Sequence, residues 1–215
     1  MADDSTTDNA TTTSTMLSPN YSLGDLTVTQ QTLSAPNLPS TQDQMDNLSV
    51  LANAMEQLTS QIGPFQILSA FRTAELQQAL GEAGNAVAPG TSFHEVGRGL
   101  DLYPTTMKID EYFARLLGNE GLKANFAEIA FKPSQNSIHV AVNVPADTRT
   151  PKILKLDPSS NSYVRMTDSD IEQLVAPYVT PEVRQAIVSN TVSAGLNLPI
   201  ILAVLAFRSE EHTSE

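Results

Sequence analysis

Apolar residues at helical spacing predict three helices in the first part of the chain. The first begins after Ser40 and ends at Gly63-Pro64, because glycine and proline terminate helices. The second covers Thr73–Leu80, with Thr73 as its N-cap, and the third covers Ile109–Leu117. The first helix carries an apolar stripe typical of a core-facing surface, formed by Met45, Leu48, Leu51, Ala52, Met55 and Leu58.

Short apolar runs predict four strands in the same region. Phe65–Ser69 and Leu100–Tyr103 are expected to be separate strands. Phe126–Phe131 and Ser137–Val142 flank a turn at Pro133–Asn136, and this arrangement predicts a hairpin.

The loop length of that hairpin fixes which residues share a face. With four residues in the turn, His139 is expected to lie opposite Ala130 and to point to the same side of the sheet. Glu128 then falls on the neighbouring diagonal position of that face, within reach of a long side chain.

The pattern weakens after Pro145. Ile153–Leu156 and Tyr163–Met166 flank an Asp-Pro-Ser-Ser-Asn turn and predict a second, smaller hairpin. Asp168 is expected to cap a helix, and Thr180-Pro181 is expected to begin another, because proline favours the first helical position.

These elements predict an α+β chain with a small antiparallel sheet and flanking helices, followed by a C-terminal hairpin and helices. Residues 1–20 are rich in Thr, Ser and Asp with almost nothing to bury, which predicts a disordered tail. Residues 21–145 are expected to form the main domain and residues 146–207 a C-terminal extension.

The end of the chain allows two interpretations. Leu196–Phe207 is almost wholly apolar but shorter than the roughly 20 residues that cross a bilayer. It is either a short buried helix or, if the chain is truncated, the start of a membrane anchor. Composition changes abruptly at residues 208–215, which we interpret as non-native sequence, and His212 within them is assigned no role.

Composition excludes several classes of function. The formal net charge of −12 and the lack of a basic patch argue against a nucleic-acid or anionic membrane partner. The chain has no Cys, which excludes disulfide scaffolds, Cys-zinc sites and thiol catalysis. The N-terminal residues do not have the pattern of a signal peptide, so export by that route is not expected. Any metal site must use histidine and carboxylate.

Two of the three histidines lie in patterns that indicate chemistry. His94 precedes Asp101 by seven residues, and Gly97 and Gly99 between them allow the backbone to turn tightly. His139 lies in the apolar alternation of the predicted return strand. Two imidazoles and one carboxylate are the protein ligands that an open zinc site requires.

Three motifs occur in a specific order: Ser69-Ala-Phe-Arg72, then Ser92-x-His94-x-x-Gly97-x-Gly99-x-Asp101, then Ile138-His139-Val140. In this order they resemble the zinc D-Ala-D-Ala carboxypeptidase family. That family also contains L,D- and D,D-endopeptidases, including phage endolysins, and has the Hedgehog/DD-peptidase fold. The resemblance extends from about Tyr21 to Val144.

The resemblance implies a role for each matched residue. His94, Asp101 and His139 would be the ligands of Zn2+, and the substrate would be a peptidoglycan peptide. Arg72 matches the position that holds a substrate carboxylate or carbonyl, although a surface ion pair with Glu75 is an alternative. Ser92 matches a position that hydrogen-bonds substrate, or it is a turn residue.

The chain departs from the family at the general base, an acidic residue commonly three or six positions before the last histidine. Here those positions hold Asn136 and Pro133, and an alignment with one inserted residue places Lys132 there. None of these side chains accepts a proton as a carboxylate would. Glu128 is the nearest acidic candidate, with a solvated strand residue as the alternative, and Glu95 is a less favoured substitute.

Three hypotheses therefore stand. The first is a zinc-dependent peptidase of the D,D-carboxypeptidase or endopeptidase type that acts on peptidoglycan stem peptides. The second is a catalytically inactive zinc-binding module of the same fold, used for structure or peptide binding in a phage virion or cell-wall protein. The third is an α+β structural domain without metal. The acidic tail and the lack of a signal peptide are typical of a phage-encoded protein, by association only.

Overall fold

The computed structural model describes residues 13–83, 89–144, 150–181, 183–185 and 187. The predicted apolar run at 196–207 and the segment 208–215 lie outside the described residues. Within the described residues, no helix combines the length and the apolar composition that a bilayer span requires.

The helices predicted from Ser40, Thr73, Ile109 and Asp168 are present, with their starts close to the expected positions, whereas most of the helix predicted to begin at Thr180-Pro181 lies outside the described residues. Thr73 caps its helix as predicted, and Thr41 caps the long one. The helix predicted to be capped by Asp168 is capped one residue earlier by Thr167, because Thr167 and Asp170 form a reciprocal capping box. The helices are α1 (Leu23–Thr27), α2 (Gln42–Gln61), α3 (Ala74–Glu82), α4 (Ile109–Gly118), α5 (Glu120–Lys123) and α6 (Asp168–Val175).

Six strands form one sheet in the order β1-β2-β4-β3-β5-β6. All neighbouring pairs are antiparallel except β3 and β5, which are parallel. The strands are β1 (Phe65–Ser69), β2 (Gly99–Pro104), β3 (Phe126–Lys132), β4 (Ser137–Val142), β5 (Lys152–Asp157) and β6 (Ser162–Arg165).

The four strands of the predicted small sheet pair antiparallel as expected, but the C-terminal hairpin joins them through one parallel pair, so the whole sheet is mixed. In the β3–β4 hairpin, Val142 lies opposite Phe126, so the chain leaves β4 beside the start of β3. Both edges of β4 are already occupied, by β2 and β3. β5 adds at the free edge of β3, with Lys152 opposite Glu128, and runs in the direction of β3. The predicted C-terminal hairpin thus extends the same sheet.

The β3–β4 hairpin has the predicted register, with His139 opposite Ala130. Because side chains alternate along strands, one face of the sheet carries polar site residues and the other is apolar. The apolar face packs against α2 and α4 in a single core. That core includes Leu100, Leu102, Ile129, Ile138, Val140, Val142, Leu48, Leu51, Met55, Leu58, Tyr112, Phe113 and Leu116.

The chain before residue 21 contacts the main domain. The Ser18 hydroxyl and the Asn20 backbone N–H both donate to Oε1 of Glu56 on α2, at 2.8 and 2.7 Å. The sequence predicts residues 1–20 as a tail, yet residues 13–20 are described and these polar contacts hold the end of that stretch. Leu17 also packs against the core, so polar contacts and one apolar contact together hold this stretch, a combination that hydrophobic periodicity does not detect.

Candidate metal centre

Two adjacent strands and one loop bring the three predicted ligands together. Asp101 on β2 is the direct register partner of His139 on β4, so both side chains leave the same face of the sheet. His94 comes from the loop before β2. Among the described residues, these three form the one group of His, Cys, Asp or Glu side chains able to hold a metal ion, with one ligand atom from each within 4.8 Å of the others.

The ligand atoms converge on the Asp101 carboxylate. Nδ1 of His139 lies 3.1 Å from Oδ1 of Asp101, and Nε2 of His94 lies 3.5 Å from Oδ2. The two imidazole rings are 5.0 Å apart between centroids. All three residues are buried. Two imidazole nitrogens and a carboxylate oxygen form a donor set that suits Zn2+ and other first-row metal ions.

A backbone contact fixes the orientation of the His94 ring. Its Nδ1 lies 2.6 Å from the carbonyl oxygen of Ala70, so this nitrogen carries the proton and donates to the carbonyl. Nε2 is then left with its lone pair toward Asp101. A histidine whose second nitrogen is held in this way is typical of metal ligands.

Helix α2 holds the loop that carries His94. The side-chain amides of Gln44 and Asn47 donate to the carbonyls of Glu95 and Val96, each at 2.8 Å. Gly97 has φ +76°, and a Cβ there would lie 2.7 Å from the Gln44 carbonyl oxygen. Glycine is required because the backbone conformation is left-handed and the helix is too close for a side chain.

Gly99 has a different role, because it leaves room for the His94 ring. A Cβ at Gly99 would lie 2.9 Å from the backbone nitrogen of His94 and 3.0 and 3.1 Å from Cγ and Cδ2 of its ring. We predict that Gly99→Ala shifts the imidazole and weakens metal binding by about tenfold or more, the order seen when ligand orientation is lost. Equilibrium dialysis against Zn2+ measures the affinity.

Gly121→Ala is the matched control for that variant. Its added Cβ would have its nearest neighbour at 3.8 Å, an ordinary contact. Metal affinity should be unaffected there. Equal affinities of wild type and Gly99→Ala would show that the ring does not need this space.

In addition to the two histidines, two cationic side chains contact the Asp101 carboxylate. Nη2 of Arg72 donates to Oδ2 at 2.8 Å, and Nζ of Lys132 donates to Oδ1 at 3.2 Å. Arg72 also donates to Ser69 Oγ and Gln77 Oε1, which accounts for three of its five N–H groups. All three acceptors belong to the protein. Arg72 therefore holds Asp101, a predicted metal ligand, in position.

The alternative interpretation of Arg72 as a surface ion pair with Glu75 is wrong. Arg72 is buried on Asp101. The Glu75 carboxylate instead accepts from the backbone N–H and the hydroxyl of Ser34. Arg72 reaches Asp101 because β1 pairs with β2, where Ser69 lies opposite Asp101.

Burial and charge have opposite effects on the pKa of Asp101. Burial raises it, but the interactions with His94, His139 and Lys132 outweigh burial and hold the pKa well below its ordinary value. The carboxylate is therefore ionised at neutral pH, as a metal ligand must be.

Burial lowers the pKa of His94 to about 3, against the attraction of Asp101. An unfolded histidine titrates near 6.5, so the unfolded chain binds the extra proton first as pH falls. This contribution to stability is complete above pH 6.5 and is lost as pH falls toward 3. We predict that metal-free protein loses about 1 kcal/mol of unfolding free energy per pH unit between pH 6 and 4 from this group.

Urea unfolding of chelator-treated protein across this pH range measures the effect. His94→Asn serves as the comparison, since its amide can still donate to the Ala70 carbonyl but does not titrate. The slope attributable to His94 should be missing in that variant. Parallel pH profiles of the two proteins would contradict the assignment.

Glu128 lies next to His139, as the hairpin register predicts. Its Oε1 is 4.0 Å from Nε2 of His139, the nitrogen on the far side of the ring from Asp101. Glu128 pairs with Ala141, which puts it on the predicted diagonal from His139, and the bulge in β3 comes before it, between Phe126 and Glu128. The carboxylate is placed either to accept a proton from a reacting group or to orient His139.

Ser92 and Glu95 make contacts within the loop. The Ser92 hydroxyl accepts from the backbone N–H of His94 at 3.2 Å, a contact expected of a turn residue. The Glu95 carboxylate accepts from the backbone N–H groups of Gly90 and Ser92. These bonds brace the loop that presents His94. A role for Ser92 in holding substrate stays a prediction.

Sequence reasoning missed the contact of Lys132, which it considered only at the position of the absent base, and it missed Tyr163 altogether. Lys132 follows Glu128 and Ala130 at steps of two on β3, so strand alternation could have placed it beside Asp101. Tyr163 on β6 had no local signal, since it depends on the parallel pairing of β5 with β3. Its ring lies 6.3 Å from that of His139. Partial desolvation of the phenol and the nearby Asp101 and Glu128 carboxylates raise the pKa of Tyr163, against Arg72, which lowers it.

The geometry allows metal-assisted chemistry on a small polar ligand. A buried three-residue ligand set lies beside a carboxylate acceptor, two cations and a tyrosine ring. Comparisons of the chain with protein-family models, with curated proteins and with solved structures give no significant match. The site itself is therefore the basis on which a function can be argued.

Proposed function

We propose that this protein is a zinc-dependent peptidase that hydrolyses peptidoglycan stem peptides, of the D,D-carboxypeptidase or endopeptidase type. The observation that carries the proposal is the convergence of His94, Asp101 and His139 from three separate segments into one buried group. Those residues are also the three that the family resemblance implies as ligands. The fold proposed for the domain is the Hedgehog/DD-peptidase fold.

Each neighbouring side chain has a role in this proposal. When bound, Zn2+ supplies Lewis-acid polarisation of a carbonyl and a nucleophile derived from water at neutral pH. Glu128 accepts the proton released when water attacks the peptide carbonyl and returns it to the leaving amine. Arg72 fixes Asp101 through Nη2, and its remaining N–H groups would hold the substrate carboxylate.

The net charge of the metal-loaded site favours binding of an anionic ligand. Arg72 and Lys132 balance Asp101 and Glu128, so these four side chains sum to no net charge. A bound dication makes the site positive. A peptide that ends in a free carboxylate is attracted to such a site, and a stem peptide ends in this way.

The test uses the full chain loaded with Zn2+. Metal content is measured after dialysis, and cleavage of purified muropeptides is followed by mass spectrometry. We expect one zinc per chain and loss of both zinc and cleavage in His94→Ala. Asp43→Asn, an exposed substitution on α2, is the control that should retain both. Zinc binding without cleavage would remove the peptidase proposal and leave a metal-binding module.

A second candidate, an α+β domain that needs no metal, is favoured by one observation. Arg72 and Lys132 together already satisfy the Asp101 carboxylate from within the protein. A buried carboxylate paired in this way is stable without an ion. The peptidase proposal therefore requires that a metal ion bind despite two neighbouring cations.

Lys132→Met separates these candidates. Removing one buried positive charge should strengthen Zn2+ binding by about tenfold or more, since like charges a few ångströms apart repel by several kcal/mol at an intermediate dielectric constant. Isothermal titration at neutral pH measures the difference. If neither wild type nor Lys132→Met binds Zn2+, the site is a structural ion cluster.

A further inference from the structure

The C-terminal hairpin brings an aromatic residue to the metal centre. β6 pairs with β5, and β5 lies beside β3, so the hairpin continues the sheet past the Glu128 strand. Along these pairings, Ala130 is opposite both His139 and Leu154, and Leu154 is opposite Arg165. Side-chain alternation then places Tyr163, two residues before Arg165, on the His139 face.

The Tyr163 ring lies beside the imidazole of His139, one of the predicted metal ligands. The centroids of the Tyr163 and His139 rings are 6.3 Å apart, with 35° between their planes. Glu128 approaches the same imidazole, with Oε1 4.0 Å from Nε2. One imidazole thus has a carboxylate acceptor and a phenol within reach of a single small ligand.

The hydroxyl of Tyr163 is available to such a ligand. The residue is 38% exposed, whereas His94, Asp101 and His139 are buried. Within the part of the chain that the structure describes, the hydroxyl has no hydrogen-bond partner, while those of Tyr21 and Tyr178 are bonded to Thr59 and Asp110. A neutral phenol at pH 7 donates one O–H and suits an oxygen acceptor.

We propose that the Tyr163 hydroxyl donates a hydrogen bond to the carbonyl oxygen of the peptide bond that is cleaved, an inference that rests on the function proposed above. Negative charge develops on that oxygen during attack by water. A donor that is placed before the reaction stabilises the charge without reorganisation. The C-terminal hairpin, which lies outside the segment that resembles the peptidase family, would then complete the active site.

Tyr163→Phe tests the hydroxyl alone, since it keeps the ring against His139. In the zinc-loaded full chain we expect kcat on a peptide ending in D-Ala-D-Ala to fall roughly 10²-fold with little change in KM, as for loss of an oxyanion donor. Zinc affinity should stay the same. Val164→Ala, the next residue on β6 and on the opposite face, should leave kcat unchanged.

A binding measurement keeps this test separate from that of the function. The probe is a phosphinate analogue of the same peptide, titrated into the zinc-loaded wild type and Tyr163→Phe. Its tetrahedral oxygen imitates the charged oxygen of the transition state, so Tyr163→Phe should bind it less tightly by a similar factor.

Wild-type cleavage with equal kcat in Tyr163→Phe overturns this inference and leaves the peptidase proposal. An increase in KM alone also overturns it, because the hydroxyl would then bind the ground state. Tighter phosphinate binding by wild type without any cleavage supports the hydroxyl contact and removes the peptidase proposal. A wild type that neither cleaves the peptide nor binds the phosphinate removes both.

Discussion

Asp101→Asn is expected to abolish metal binding and to destabilise the protein by about 3–5 kcal/mol, the cost of removing one partner from a buried ion pair. The carboxylate is the common partner of Arg72 and Lys132, both buried. Its amide replacement keeps the shape but leaves two cations without a counter-charge. Urea unfolding of the metal-free protein at neutral pH measures the stability, and equilibrium dialysis measures Zn2+.

A second substitution identifies the cause of that loss. The loss of unfolding free energy is expected to arise in part from the unpaired ammonium of Lys132. In that case Asp101→Asn combined with Lys132→Met should be more stable than Asp101→Asn alone, because the double variant removes one buried charge. Asp43→Asn on the exposed start of α2 should change the unfolding free energy only slightly. A loss of less than about 1 kcal/mol in Asp101→Asn would mean that water reaches both cations and that the centre is not buried.

Glu128→Gln is expected to reduce kcat by about 10²–10⁴-fold while leaving zinc affinity unchanged, the range for loss of a general base. Glutamine keeps the shape of glutamate, so the position of the side chain beside Nε2 of His139 is preserved. Only the capacity to take a proton is lost. Steady-state kinetics on muropeptides and zinc dialysis of the same preparation measure the two quantities.

Glu128→Ala completes the comparison. If Glu128 only orients His139, the alanine variant should lose about 10–100-fold in zinc affinity, and the glutamine variant should be nearly normal in both properties. If both variants keep zinc and activity, Glu128 is a solvated strand residue. The base would then have to be sought elsewhere in the site.

Local pattern predicted the elements that present the ligands. The hairpin turn at Pro133–Asn136 has a fixed length, so it set His139 opposite Ala130 before any tertiary information was used. β1 was predicted with its observed bounds, and Thr73 caps α3 as expected. Such features depend on residues a few positions apart, where periodicity and capping chemistry act directly.

Long-range pairing decided what surrounds the ligands. Arg72 pairs with Asp101 because β1 and β2 are neighbours, a relation between residues 29 positions apart that no local pattern encodes. The alternative considered for Arg72, an ion pair with Glu75, relied on sequence proximity and was wrong for that reason. Lys132, considered in the sequence only as a missing base, is a partner of a predicted ligand.

The sequence by itself determined the order of the helices and the first four strands, and the register of the hairpin. It also identified the two histidines and the one aspartate that could form a metal centre. Only the tertiary structure decided that those three side chains converge. It also decided that β5 runs parallel to β3 and that Tyr163 thereby reaches His139. The physical reason is that hydrophobic periodicity specifies which face of a strand is buried, but not which strand will be its neighbour.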